Sequence, residues 1–141
     1  MELNEKEIFW NNTLPTALAA QIKRLGYQTI YWYGGNSSSG NFTKYSKAQG
    51  FDLIENAPEF CGPQAPQTWL GVYDHVFLEE AAKRIVDMDE PTFHFVYTTT
   101  NHGPYKLEDK YLDFDARRDL SGVGDDILNR KDGNKGLATY K

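Results

Sequence analysis

Three times within the first hundred residues a segment with helical spacing stops and a short run of aromatic and β-branched residues takes over. In the first unit, Leu18, Ile22 and Leu25 of "TLPTALAAQIKRLG" share one helical face, which is expected to turn toward the core. Thr13 or Leu14 serves as cap, Pro15 stands near the first helical position and Gly26 ends the pattern. "YQTIYWY", Tyr27 to Tyr33, then has the make-up of a strand, closed by Gly34-Gly35. The second unit repeats this in miniature: a helix from about Asn41 to Gln49, a stop at Gly50 and a strand at Phe51 to Ile54. In the third, Asp74 is expected to cap a helix reaching about Met88, with Phe77, Ala81, Ile85 and Met88 on its inner face. Glu79–Lys83 and Glu80–Arg84 are spaced to pair along it. Pro91 opens "TFHFVYTTT", apolar on both faces, which reads as the central, covered strand of a parallel sheet. This alternation predicts an α/β layered fold, a mostly parallel sheet flanked by helices with right-handed crossovers. Residues 55 to 71, with three prolines and two glycines, are expected to form an irregular crossing between the second and third units.

A chain of 141 residues, 40% of them hydrophobic, can close one core. Its 15 basic and 20 acidic residues give a net charge of −5 without any cluster of Lys and Arg, which argues against nucleic acid and anionic membrane surfaces as partners. The single cysteine, Cys61, excludes an internal disulfide, and with no basic group beside it in the sequence it is expected to be inert. No apolar run approaches the roughly 20 residues of a membrane helix, and "MELNEKE" has neither the basic nor the apolar part of a signal peptide. A soluble chain without a targeting signal is the expectation. After Pro104 the composition turns charged and glycine-rich, so residues 106 to 141 are expected to be a loop, partly disordered, that ends in the opening of a helix at "GLATYK".

The candidate chemistry is concentrated where strands end. "TTTNHGPY" halts the third strand at an Asn-His pair fixed by Gly103-Pro104. In open parallel sheets ligands bind beyond the carboxyl ends of the strands, and an imidazole there can donate to a phosphate or sulfate oxygen or move a proton. Asn101 and His102 are therefore candidate substrate contacts; a solvated strand-to-loop turn is the alternative. The Gly- and Ser-rich stretch "YWYGGNSSSGN" is the second candidate, with Asn36 and Asn41 in it, because a loop between strand and helix offers backbone N–H groups to an anion. It matches neither dinucleotide nor phosphate-loop spacing, and on the residues alone a mobile connecting loop is the favoured reading. Asp74-His75 lacks a third ligand at a recognisable spacing, so no metal site is assigned to it. His94, inside an apolar strand, reads as a satisfied core histidine, and the three threonines 98 to 100 as strand-forming residues without a base.

Taken in succession, "TLPTALAAQIKRLGYQTIYWYGG", "NFTKYSKAQGFD", "WLGVYDHVFLEEAAKRI" and "PTFHFVYTTTNHGPY" resemble the middle of the sulfatase-type catalytic domain of lipoteichoic acid synthase-like proteins, of the alkaline phosphatase superfamily. The likeness spans roughly residues 10 to 105 and is most specific at the strand followed by Asn-His-x-Pro-aromatic. It implies a central piece of such a domain over residues 1–105, with a partial sulfatase-like layered fold. It further implies transfer of phosphoglycerol or a related head group from a membrane lipid through a threonine intermediate, with manganese or magnesium in the full-length parent. His102 corresponds to the family's histidine that contacts the phosphate or glycerol group, and the parent is expected to be membrane-anchored with its catalytic domain outside the cytoplasmic membrane.

The same resemblance places the nucleophilic threonine upstream of this chain and the Asp-His metal pair downstream. The chain alone is therefore expected to be a fragment without turnover or bound metal, one that self-associates through an exposed sheet edge. Ser37 to Gly40 stand where relatives commonly carry a Trp, so the head group would be held differently. The competing readings are a sulfatase-like hydrolase in the parent and a stand-alone anion-binding module.

Overall fold

The computed structural model describes residues 6–102. The chain divides into two compact units at Thr99 and Thr100, and of the second only Thr100 to His102 are described. The charged stretch from 106 and the unfinished helix lie outside the described residues.

In chain order the elements are α1 (Ile8–Asn11), α2 (Leu18–Lys23), β1 (Gln28–Tyr33), a 3-10 turn (Ser39–Asn41), α3 (Phe42–Ala48), β2 (Leu53–Asn56), α4 (Ala57–Cys61), α5 (Asp74–Val86) and β3 (Thr92–Tyr97). The three strands form one sheet in the order β2-β1-β3, parallel throughout, with Ile30 opposite both Leu53 and His94. The α/β layered architecture is as expected, but the central strand is β1, buried from Thr29 to Tyr33, and β3 lies at an edge among the described residues. Phe95 and Tyr97 of β3 remain 41% and 44% exposed. Apolar residues on both faces of a strand therefore did not mark its position in the sheet; β1 is covered because helices reach both of its faces.

On one face Ile30 and Trp32 pack with Ala57, Val72, Phe77 and Ala81, beneath α4 and α5. Phe60 meets the Trp32 ring edge-on at 5.7 Å, and Arg84 lies over the Phe60 ring at 4.9 Å. Arg84 thus does not take the helical pairing expected with Glu80, which bonds Lys83 at 2.7 Å while Lys83 also reaches Glu79 at 2.9 Å. The other face carries an aromatic row, in which Tyr31 stacks on Phe95 at 5.5 Å and Tyr33 on Tyr97 at 5.5 Å. A cavity of about 460 Å³ opens between this row and helices α2 and α3.

Several local expectations shift for identifiable reasons. Pro15 starts a turn closed by Ala17 N–H on the Leu14 carbonyl, so α2 begins only at Leu18 and the Thr13 hydroxyl instead bonds the Ala48 carbonyl at 2.8 Å. Leu25 is 72% exposed and Leu18 is exposed as well, while Ala19 is buried. The small face wins because Gly50, at φ +103°, lies against the Ala20 backbone, leaving less than 3 Å to any side-chain carbon added there. The second strand starts at Leu53 instead of Phe51, since Asp52 is occupied with Thr29: its Oδ2 accepts both the backbone N–H and the hydroxyl at 3.0 Å. Residues 55–71 are not wholly irregular, because Pro58 near the start of α4 needs no N–H partner there.

Candidate functional site

Beyond the carboxyl end of β1 the chain is held by close backbone approach. Gly34 N–H donates to the Tyr97 carbonyl and the Gly34 carbonyl accepts from Val72 N–H, both at 2.9 Å, and Gly35 pairs with Gly71 in an isolated antiparallel bridge. A β-carbon on Gly71 would stand 2.2 Å from the Gly34 oxygen, and one on Gly35 2.5 Å from the Leu70 oxygen. The two segments can lie together only because both positions lack a side chain.

The loop that follows is tied down internally. Ser37 is fully buried: its N–H donates to Asn56 Oδ1 at 2.8 Å, its hydroxyl meets Thr43 Oγ1 at 2.7 Å, and its carbonyl accepts Thr43 N–H. Asn36 Oδ1 accepts from Ser38 N–H and hydroxyl at 3.0 and 2.6 Å, an Asx turn. Asn41 adopts the left-handed region at φ +61°, which Asn tolerates, to enter α3. The N–H groups of Ser37, Ser38 and Ser39 all have partners inside the protein, so the loop is a pinned connection and these three do not form an open anion nest.

Opposite it, residues 67–72 make a tight hairpin. Gln67 bridges Val72, Thr68 N–H bonds the Gly71 carbonyl at 2.8 Å, and the Thr68 hydroxyl accepts from Leu70 and Gly71 N–H. Trp69 stands at its tip, 69% exposed. The sequence reading passed over this residue, although Thr-Trp-Leu-Gly between a proline-rich stretch and a helix carries a turn signal in its glycine.

Asp74 occupies the first position of α5, with Tyr73 as the cap residue. Its Oδ1 accepts the N–H of buried Thr99 at 2.9 Å, fastening the end of β3 to the start of the helix. The cap role expected of Asp74 is thus replaced by a cross-element bond, and His75 is exposed and stacked on Tyr73. His94 has its hydrogen bond as expected but is half-buried instead of in the core: Trp32 Nε1–H donates to its Nδ1 at 3.0 Å, and partial burial lowers its pKa, favouring the neutral ring that this bond needs. Burial raises the Cys61 thiol, the Glu80 charge adds to this and Arg84 opposes it.

Asn36 and Asn41 thus lie in one loop of the first unit, whereas Asn101 and His102 lie side by side, exposed, in a turn of the second. Among the described residues no group of three or more His, Cys, Asp or Glu side chains could hold a metal ion, so these residues do not by themselves fit a divalent cation.

Residues 10–133 match the family Sulfatase. The chain belongs to the Sulfatase family. It is 25% identical over 109 residues to the lipoteichoic acid synthase-like YvgJ of Bacillus subtilis, and 26% identical over 115 residues to the lipoteichoic acid synthase of Staphylococcus aureus. These alignments cover 77% and 82% of this chain and 17% of either relative, so the chain spans about one sixth of their length. In fold it matches the lipoteichoic acid synthase LtaP of Listeria monocytogenes, with a TM-score of 0.71 at 15% identity over 95% of this chain and 31% of that one. A Vibrio parahaemolyticus protein of the alkaline phosphatase superfamily matches with a TM-score of 0.66 at 22% identity, over 96% and 31%. The layered parallel sheet is therefore a fold shared with both of these structures. No helix among the described residues is long and apolar enough to cross a membrane.

Proposed function

We propose that this chain supplies the head-group-binding part of a phosphoglycerol-transferase-type catalytic domain acting on a membrane lipid. The observation that carries the reading is the Sulfatase match running through "TTTNHGPY", together with relatives named as lipoteichoic acid synthases. His102 donates a ring N–H to an oxygen of the phosphate, and Asn101 beside it offers an amide donor to the same anionic group. Asn36 and Asn41 are assigned head-group contacts through their side chains, since the neighbouring backbone donors are occupied. Manganese or magnesium is assigned to the whole domain, which we place outside the cytoplasmic membrane on a membrane-anchored parent. The described residues furnish no ion site, so metal-assisted turnover requires groups beyond them.

The test is calorimetric titration of the purified chain with glycerol phosphate, with and without Mn²⁺, against inorganic sulfate as the hydrolase-type ligand. Binding of glycerol phosphate that is weakened in His102→Ala and exceeds that of sulfate supports the transferase reading. Preference for sulfate, or identical binding by His102→Ala, refutes it.

A further inference from the structure

The cavity of about 460 Å³ on the aromatic face of the sheet is lined by residues of the first unit, none of them charged. Phe51, Phe93 and Phe95 give it an aromatic wall, and on the helix side the small Ala17 and Ala19 leave it room. Two hydroxyl-bearing residues of the lining are more than nine-tenths buried: Tyr31 is 6% exposed and Ser46 2%. Among the described residues neither of these hydroxyls has a hydrogen-bond partner. Gln49, also buried in the lining, spends its amide fully: Oε1 accepts Leu14 N–H, and Nε2 donates to the Phe9 and Asn12 carbonyls. Yet no side-chain oxygen of the described residues is both sealed from open space and unpaired. The Tyr31 and Ser46 hydroxyls therefore reach open space, and the space that both residues line is the cavity. Burial keeps the Tyr31 phenol protonated, and the nearby phenols of Tyr33, Tyr97 and Tyr45 add to this, so it stays both donor and acceptor.

We propose that this cavity is a binding site for a small, uncharged aromatic molecule bearing a hydroxyl group, with the open hydroxyls of Tyr31 and Ser46 as its partners. The volume lies in the range of small-molecule sites, which are mostly apolar with a few polar groups that fix orientation. An aromatic ligand extends the contacts already made there, where Tyr31 stacks on Phe95 at 5.5 Å and meets Phe51 edge-on at 5.4 Å. Ring pairs of this kind gain more than their buried area alone, whereas an alkyl chain gains the area only. An anion fits less well, because it would shed its hydration with no cation in the lining to replace it. The ligand thus differs in charge and shape from the head group assigned to His102, and the site stands independently of that reading.

The experiment follows the backbone amide resonances of the full chain at neutral pH while naphthol is added, with naphthalene, naphthoate and decanol as comparison ligands. The expected result is a saturable shift at Tyr31, Tyr45 and Ser46, with naphthol bound about tenfold more tightly than naphthalene or decanol and naphthoate more weakly still. Tyr31→Phe keeps the ring and removes only the oxygen, so it should bring naphthol close to the level of naphthalene and leave naphthalene binding unchanged. Ser46→Ala, a substitution that suits helix α3, repeats the test from the helix side should Tyr31→Phe disturb the sheet. Absence of a saturable shift, equal binding of naphthol and naphthalene in the unaltered chain, or a preference that survives both substitutions overturns the site. Tighter binding of decanol overturns the aromatic assignment, and shifts of the same amides on simple dilution would show a second copy filling the cavity and overturn it too. Glycerol phosphate binding should be unchanged in Tyr31→Phe, and naphthol binding unchanged in His102→Ala, so the two readings fail separately.

Discussion

Replacing Gly71 by Ala puts the seating of the Trp69 hairpin to a quantitative test. The added carbon would lie 2.2 Å from the Gly34 carbonyl oxygen, 2.7 Å from its carbon and 2.8 Å from Gly35 Cα. Ordinary contact needs about 3.5 Å, so the segments must part by about 1 Å. All three obstacles are backbone, which cannot swing aside as a side chain would. Parting by that amount breaks the Val72–Gly34 hydrogen bond, now 2.9 Å, at a cost of about 1 kcal/mol, and residual strain adds about 1–3 kcal/mol. The total, about 2–4 kcal/mol, is a large share of the stability of a domain this size. Gly34→Ala is the control, since its nearest neighbours are the Thr99 side chain at 3.0 and 3.2 Å and its N at 3.4 Å. It should cost less than about 1.5 kcal/mol, because the threonine can adjust. Urea unfolding followed by near-ultraviolet circular dichroism measures both. A Gly71→Ala protein as stable as Gly34→Ala would refute the claim that glycine is required for this docking.

The pairing of buried Trp32 with half-buried His94 makes stability pH-dependent. Burial depresses the His94 pKa, so on acidification the unfolded chain takes up a proton that the folded one resists. The contribution is therefore complete above the ordinary histidine value, near 6.5, and declines as pH falls below it. His94→Gln should flatten the stability–pH curve in that window, and an unchanged slope would exclude His94 as its source. Asp52 behaves with the carboxylate sign: chiefly the hydrogen bond from Lys23, assisted by Thr29, lowers its pKa, so its stabilisation is present at neutral pH and fades below the usual carboxylate range. Asp52→Ala, which strips acceptors from buried Thr29, should cost about 1–3 kcal/mol, whereas Lys23→Ala, half exposed, should cost less than about 1 kcal/mol; equal losses would contradict this division. Finally, β3 presents exposed Phe95, Val96 and Tyr97 without a charged residue among Thr92 to Tyr97. Weight-average mass in sedimentation equilibrium should rise with concentration and stay monomeric in Val96→Lys, and a wild-type chain of constant monomer mass would refute self-association through this strand.

The helix–strand alternation was legible in the sequence because each period ends in a residue with a physical reason to end it. Gly26 and Gly50 both adopt positive φ where the helical segments stop, and Pro91 stands one residue before β3. What composition could not convey was order across the sheet. Tyr31 and Phe95 are equally apolar and stack on each other, yet one strand is central and the other lies at the described edge. Which strand lies inside depends on crossovers, a non-local property, whereas periodicity records only the faces of one strand. The same limit misplaced α2, where the choice between a leucine face and an alanine face was decided by the approach of Gly50 from thirty residues away.

The site was legible in a complementary way. Motif reading finds residues with distinctive chemistry, and the abrupt end of a strand makes His102 and Asn101 candidates. It read the Ser-rich loop as a set of available donors, but Asn56 and Asn36 consume those donors, and such side-chain acceptors look in the sequence like two ordinary asparagines. The contact between the two loops left its trace instead as an absence: two long stretches without charge, innocuous when read separately. Only Gly35 against Gly71, each needed because the other's backbone occupies the space of a β-carbon, makes them one surface.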